Sequence, residues 1–172
     1  MEVSKKRIAI LAEDYYEDLE LHYPRLRMIE AGADVDVVGM PGAEQYHSKH
    51  DYPASMDVAA DAIDPEKYDA LIIPGGYAPD RMRRHKPMVD LVRDIFYNGG
   101  IVAMICHAGW VPISADIVTG KRVTSTGAIR DDLINAGATW VDQEVVRDEN
   151  LISSRSPADL PAFCRAILEA LR

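Results

Sequence analysis

Residues 101–110 read IVAMICHAGW. Five uncharged apolar residues in a row suit a strand buried on both faces, as in a parallel sheet. Gly99-Gly100 precedes them and closes a helical pattern over Pro87 to Tyr97, in which Met88, Leu91, Val92 and Ile95 share one face. Cys106 follows the strand at once, and His107 to Ala115 returns to helical spacing despite Pro112. A residue wedged between a buried strand and the next helix occupies a sharp turn, its side chain exposed and the amides of the helix start close by. That position favours an anion, so it is expected to lower a thiol pKa and stabilise the thiolate that attacks electrophiles. The competing reading of Cys106 is a buried cysteine acting as a small hydrophobe.

The same alternation extends in both directions. Upstream, Arg7 to Ala12 (RIAILA) predicts a first core strand and Asp18 to Glu30 a helix with a local kink or offset at Pro24. Asp34 to Gly39 follows as a strand, and the polar stretch from Met40 to Ala60 as a short hairpin carrying Tyr46 to Asp51. YDALIIPGG, from Tyr68, is a buried strand broken by Pro74, Gly75 and Gly76. Downstream, Arg122 to Thr124 reads as a brief strand, Ile129 to Asn135 as a short helix, and Trp140 to Ser154 as two strands around Asp148-Glu149-Asn150. The final helix is predicted to start with Ser156 as N-cap and Pro157 at its first position, its apolar stripe running from Leu160 to Leu171. Strands alternating with helices imply one α/β domain over residues 1–172, with a mostly parallel sheet covered on both faces.

In such sheets ligands bind beyond the carboxyl ends of the strands. Three strand ends therefore converge: Glu13 to Glu17, Gly75-Gly76 and Cys106-His107. His107 is placed to face the thiol or to supply a backbone N–H to an oxyanion site. Gly75-Gly76 is placed to bring a second N–H into the pocket, because glycine lets the backbone approach a ligand closely. A carboxyl desolvated beside the thiolate would stay protonated and donate a hydrogen bond to sulfur. Spacing alone does not select Glu17 from Glu13, Asp14, Asp18 and Glu20.

Other candidates rank lower. His47 and His50 have a metal-like spacing with no ligand set to complete it, which predicts a surface loop and no metal. Cys164 falls on the final helix and reads as packing. The two cysteines lie far apart without a CxxC pair, so neither a disulfide framework nor a zinc ribbon is expected and a reducing cytoplasm is the natural setting. A formal net charge of −9 argues against nucleic acid and anionic membranes as partners. The one basic cluster, Arg81, Arg83, Arg84, His85 and Lys86, reads as a solvated helix start. The apolar run Ile8 to Ala12 is too short for a signal peptide or a membrane span.

Taken together, YEDLELHYP, YDALIIPGGYAPDRM, IVAMICHAGW, IRDDLINAGATWVD and LISSRSPADLPAF resemble the PfpI family within the ThiJ/PfpI superfamily, a glutamine amidotransferase-like group. The resemblance implies a flavodoxin-like α/β/α sandwich, a Cys106 nucleophile with His107 beside it, and Glu17 as the thiolate's partner. It implies no cofactor, and self-association as a homodimer or hexamer in which an acidic residue of a neighbouring subunit completes a triad. The matching position here is Asp80, one methylene shorter than the family's glutamate, and Thr126-Gly127 stands where the family often has Tyr-Pro. Three activities follow from the resemblance and the thiol. The first is a glutathione-independent glyoxalase or protein deglycase working on methylglyoxal-type carbonyls through a Cys106 hemithioacetal. The alternatives are an intracellular cysteine peptidase or amidase, and a redox or stress-response protein with an oxidisable Cys106.

Overall fold

The computed structural model describes residues 3–172. Strand β1 (Arg7–Leu11) leads into helix α1 (Asp18–Glu30), and β2 (Asp34–Gly39) is followed by the hairpin β3 (Gln45–His47) and β4 (Pro53–Ser55) and the short β5 (Val58–Ala59). Then come β6 (Ala70–Ile73), α2 (Ala78–Met82), α3 (Lys86–Tyr97), β7 (Ile101–Ile105) and α4 (Trp110–Ser114). The chain ends with β8 (Arg122–Val123), α5 (Arg130–Asn135), β9 (Thr139–Trp140), β10 (Val145–Asp148), β11 (Leu151–Ser154) and α6 (Leu160–Ala170).

Seven strands form the central sheet in the order β10-β11-β7-β6-β1-β2-β5. Every neighbouring pair is parallel except β10 with β11, which the turn at Glu149 folds into an antiparallel hairpin. The apolar strands sit at its centre for a physical reason. All five residues of β7 and all four of β6 are buried, and each large side chain removed from water contributes roughly 1.5–3 kcal/mol. Helices α1 and α6 pack on one another, as do α3 and α4, which completes the expected α/β sandwich.

The strand order locates the functional edge. From β1 the chain moves outward to β2, whereas from β6 it moves the other way to β7 and β11, so the connections diverge at the β1–β6 boundary. A crevice opens at such a switch point, beyond the carboxyl ends of the strands. Cys106, Gly75-Gly76 and the segment after β1 all lie there.

Helix α1 contains Pro24 within its length, with that proline buried. One local expectation is corrected. Ser156 makes no side-chain cap; a 3-10 turn at Pro157–Asp159 precedes α6, and Asp159 is instead bound by Arg155 Nε at 2.8 Å. The Asp159 N–H that a Ser156 hydroxyl would accept is already donated to the Ser156 carbonyl at 2.9 Å, and Arg155 Nη2 adds a second bond to the Asp159 carboxylate at 3.0 Å.

Candidate active site

The elbow after β7 is built on strain. Cys106 has φ +63°, a left-handed conformation that side chains disfavour, and it opens a 3-10 turn, Cys106–Gly109, ahead of the short α4. Such a conformation persists only where its surroundings enforce it. Thr126 N–H donates to the Cys106 carbonyl at 3.3 Å, and β7 is fixed on both sides by β6 and β11. The thiol is thereby turned out of the sheet into the crevice.

The segment following β1 is laced to the segment following β6. Glu17 N–H donates to the Gly75 carbonyl at 3.1 Å, Tyr77 N–H donates to the Tyr15 carbonyl at 2.9 Å, and Tyr16 and Gly76 form an antiparallel bridge. Gly76 has φ +77°, and a Cβ there would fall 2.6 Å from both the Glu17 nitrogen and the Tyr15 oxygen. At Gly75 a Cβ would lie 2.6 Å from Glu20 Oε2 and 2.8 Å from the Cys106 Cβ. Gly75→Ala is accordingly expected to displace the reacting groups, lowering kcat/KM by about 100-fold and stability by about 1–3 kcal/mol. Steady-state kinetics with chemical denaturation would check both.

The acidic cluster resolves into distinct tasks. Glu13 hydrogen-bonds His85 at 2.7 Å, away from the thiol. Asp14 accepts the His47 N–H, and Asp18 binds the Ser48 hydroxyl and the His50 ring. Glu17, the partner that the resemblance implied, caps α1: its Oε2 accepts the Glu20 N–H at 3.0 Å. The carboxyl beside Cys106 is that of Glu20, whose Oε2 accepts the Gly75 N–H at 2.7 Å. Its Oε1 is buried with no other partner and is free to share a proton with the sulfur. The geometry therefore puts Glu20, three residues along the helix, where Glu17 was expected.

Electrostatics follow from this burial. Desolvation pushes the Glu20 carboxyl up to about 8, reinforced by Glu17 and opposed by the Gly75 N–H, the Cys106 thiol and Lys49. Desolvation, then the Glu20 carboxylate, push the Cys106 thiol up to about 12, against backbone N–H groups of His107 and Gly76 that favour the thiolate. Both rises express one property: burial penalises negative charge in the pocket, and a charge on either group further penalises a charge on the other. A protonated Glu20 removes the repelling carboxylate and presents an O–H to sulfur, leaving the two N–H groups in place. The lowering expected from amides at the start of the turn is supplied by the His107 N–H, but burial and Glu20 outweigh it.

His107 Nδ1 lies 3.3 Å from Cys106 Sγ, and its ring packs at 5.7 Å on Trp110. Burial, then the charge of Lys49, lower its pKa, which favours the neutral ring. Asp80 sits on α2 in the wall of a cavity of about 550 Å³ shared with His107, Tyr15, Tyr77, Arg81 and Trp110. Within the chain its carboxylate is held by Arg84 Nη2 at 3.2 Å. The basic cluster is equally engaged: Arg81 stacks over Tyr15 and Arg83 over Trp110, while Lys86 pairs with Asp90.

His47 and His50 bind Asp51 and Asp18 on the β3–β4 turn, and among the described residues no group of three or more His, Cys, Asp or Glu is placed to hold a metal ion. Cys164 is buried on α6, where desolvation raises its thiol to about 12. Among the described residues no helix is long and apolar enough to cross a membrane.

Known proteins match this chain over nearly its whole length. The profile of the DJ-1/PfpI family matches residues 6–170. Deglycase TK1284 of Thermococcus kodakarensis is 43% identical over 166 residues, covering 96% of this chain and 99% of that protein. Drosophila melanogaster DJ-1beta superposes with a TM-score of 0.90 at 29% identity, over 99% of this chain and 91% of its own. A two-domain protein of Anabaena variabilis with DJ-1/ThiJ/PfpI-like and ferritin-like domains gives a TM-score of 0.94 at 40% identity, over 96% of this chain and 48% of that longer one. With Cys106 at the nucleophile elbow of that fold, the chain belongs to the DJ-1/PfpI family.

Proposed function

We propose that the chain is a cofactor-free deglycase of the PfpI type, acting on methylglyoxal-type carbonyl adducts through a Cys106 hemithioacetal. The observation that supports it is the setting of one sulfur: Cys106 lies against the Glu20 carboxyl, His107 Nδ1 at 3.3 Å, and the N–H groups of Gly76 and His107. Such a set serves addition to a carbonyl followed by proton transfer, with no electron acceptor required.

On a glycated amine the sulfur attacks the carbinol carbon, so a C–S bond forms, the C–N bond breaks, and the amine leaves with a proton. The hemithioacetal hydroxyl sits at the two N–H groups. A proton then leaves the former aldehyde carbon and is returned to the adjacent carbonyl carbon through an enediol, with Glu20 or His107 as carrier. The aldehyde carbon is oxidised and the ketone carbon reduced within one molecule, giving a thioester of a 2-hydroxy acid. Water cleaves it to lactate and the free thiol.

The test is to incubate the protein, without glutathione, with methylglyoxal-treated N-acetyl-lysine in the presence and absence of an excess aldehyde scavenger. Lactate and free N-acetyl-lysine in equal amounts, insensitive to the scavenger, are expected. Lactate lost entirely to the scavenger would mark a glyoxalase acting on free aldehyde, and no lactate under either condition would sink the carbonyl reading.

A further inference from the structure

One cation beside the thiol's surroundings has no place in this scheme. Lys49 stands on the turn between β3 and β4, and that turn is firmly built. The Lys49 N–H donates to the Tyr16 carbonyl at 3.0 Å, and Tyr15 N–H donates to the His47 carbonyl at 2.7 Å. Tyr16 also forms a parallel bridge with Ser48. The buried Ser48 hydroxyl accepts the N–H groups of His50 and Tyr52 while donating to Asp18. The backbone of Lys49 is thus tied to the segment that carries Glu17. Its ammonium lies 3.8 Å from Glu17 Oε1, beyond hydrogen-bond distance, and is about one-third exposed.

Glu17 in turn touches the backbone of Glu20 through its other oxygen. The groups that face Glu20 are therefore Glu17 on its own helix, the Gly75 N–H at the end of β6, Cys106 at the end of β7, and Lys49 on the turn. His107, also at the elbow, feels the same ammonium. Glu17 and Lys49 act on the Glu20 carboxyl with opposite sign. Negative charge near a carboxyl holds its proton on, and positive charge draws it off.

We propose that Lys49 is a positioning residue of this site: with Glu17 it forms an opposed pair of charges that sets how readily the Glu20–Cys106 couple gives up its first proton. The inference rests on the reading of Cys106 as the reacting group but not on the identity of the carbonyl substrate. It gives Glu17 a functional task besides capping, and it explains how a site with two carboxyls and a thiol can work near neutrality. A negative charge on the Glu20 carboxyl is favoured by Lys49 and disfavoured by Glu17, and the sulfur feels both through Glu20.

The experiment is the pH dependence of Cys106 alkylation by iodoacetamide, read by mass spectrometry without any carbonyl substrate. Lys49→Met is expected to move the midpoint upward by about half to one pH unit, and Glu17→Gln to move it downward by about as much. The double variant should return close to wild type, and Lys49→Arg, which keeps the charge, should leave the profile in place. A Lys49→Met profile that superimposes on wild type would overturn the proposal. So would equal shifts in Lys49→Met and Lys49→Arg, which would mark packing rather than charge. Lactate assays run in parallel separate the two ideas: absent lactate with the opposed shifts removes the deglycase reading alone, and present lactate without the shifts removes only the role of Lys49.

Discussion

Cys106→Ala is expected to lower lactate release by at least about 1,000-fold while leaving the fold intact, because in the proposed reaction every bond change passes through the sulfur and no other group present can form the hemithioacetal. Cys164 is no substitute: it is buried on α6 with its thiol pushed up to about 12. A companion variant makes the prediction sharper. Cys106 holds φ +63°, which costs any residue with a Cβ roughly 1 kcal/mol. Cys106→Gly removes the nucleophile and the strain together. It should therefore be as inactive as Cys106→Ala yet more stable than it by about 0.5–1 kcal/mol in chemical denaturation, since some of the relief is offset by the greater freedom of unfolded glycine. Activity within tenfold of wild type in either variant would end the cysteine mechanism. Equal stability of the two would show that the elbow is not strained in solution.

The fold was legible because the signals that specify it are local. IVAMI and ALII announce buried parallel strands by composition alone, and the glycines and prolines behind them mark where pairing must stop. The hairpin carrying Tyr46 to Asp51 was recoverable for the same reason, from the polar, turn-rich composition of Met40 to Ala60. The cap at the last helix failed through local competition between acceptors. Ser156 has the chemistry of a cap, but the Asp159 N–H it would take is donated to the Ser156 carbonyl in the 3-10 turn.

The site divides along the same line. Cys106, His107 and Gly75-Gly76 meet because each ends or follows a strand, and adjacent parallel strands bring their ends together whatever the intervening loops do. Glu20 stood among the carboxylates that spacing left open, and it could not be singled out because its placement depends on what Glu17 does. A glutamate at an N-cap spends its carboxylate on the first-turn amides, as Glu17 does with the Glu20 N–H. In a capping box the glutamate three residues on would reach back to the cap's own N–H. Here that N–H is already given to the Gly75 carbonyl, so Glu20 turns to the Gly75 N–H and the sulfur. The spacing of Glu17 and Glu20 around a helix start was the available signal; reading it required knowing that β6 ends against that turn. Lys49 was invisible for a stronger reason. It arrives from a hairpin docked by backbone bonds to Tyr15 and Tyr16 and by Asp14 and Asp18, long-range pairings that local spacing does not reveal.

Glu20→Gln is expected to lower kcat by about 100- to 10,000-fold, the range associated with losing a proton carrier. It should also change how stability depends on pH, and the sign follows from linkage. The Glu20 carboxyl moves from an ordinary 4.5 to about 8 on folding because it is buried. Below about 4.5 it is protonated folded or unfolded, and its contribution to stability is fully present. Between about 4.5 and 8 only the folded chain keeps that proton, so stability falls as pH rises. Above about 8 the loss is complete and the curve levels. Across pH 5 to 8 the stability of wild type relative to Glu20→Gln should therefore decline by up to about 4 kcal/mol, as measured by chemical denaturation at closely spaced pH values. The amide of glutamine matches the carboxylic acid in shape and can still accept the Gly75 N–H, so the variant isolates the proton from the packing. Parallel stability curves for the two proteins would mean that Glu20 carries no raised pKa, and an undiminished kcat would mean that it carries no proton in the reaction. Lost activity with the predicted divergence of the curves would establish that one buried carboxylic acid, kept neutral by its surroundings, both supports the fold at low pH and serves the thiol at working pH.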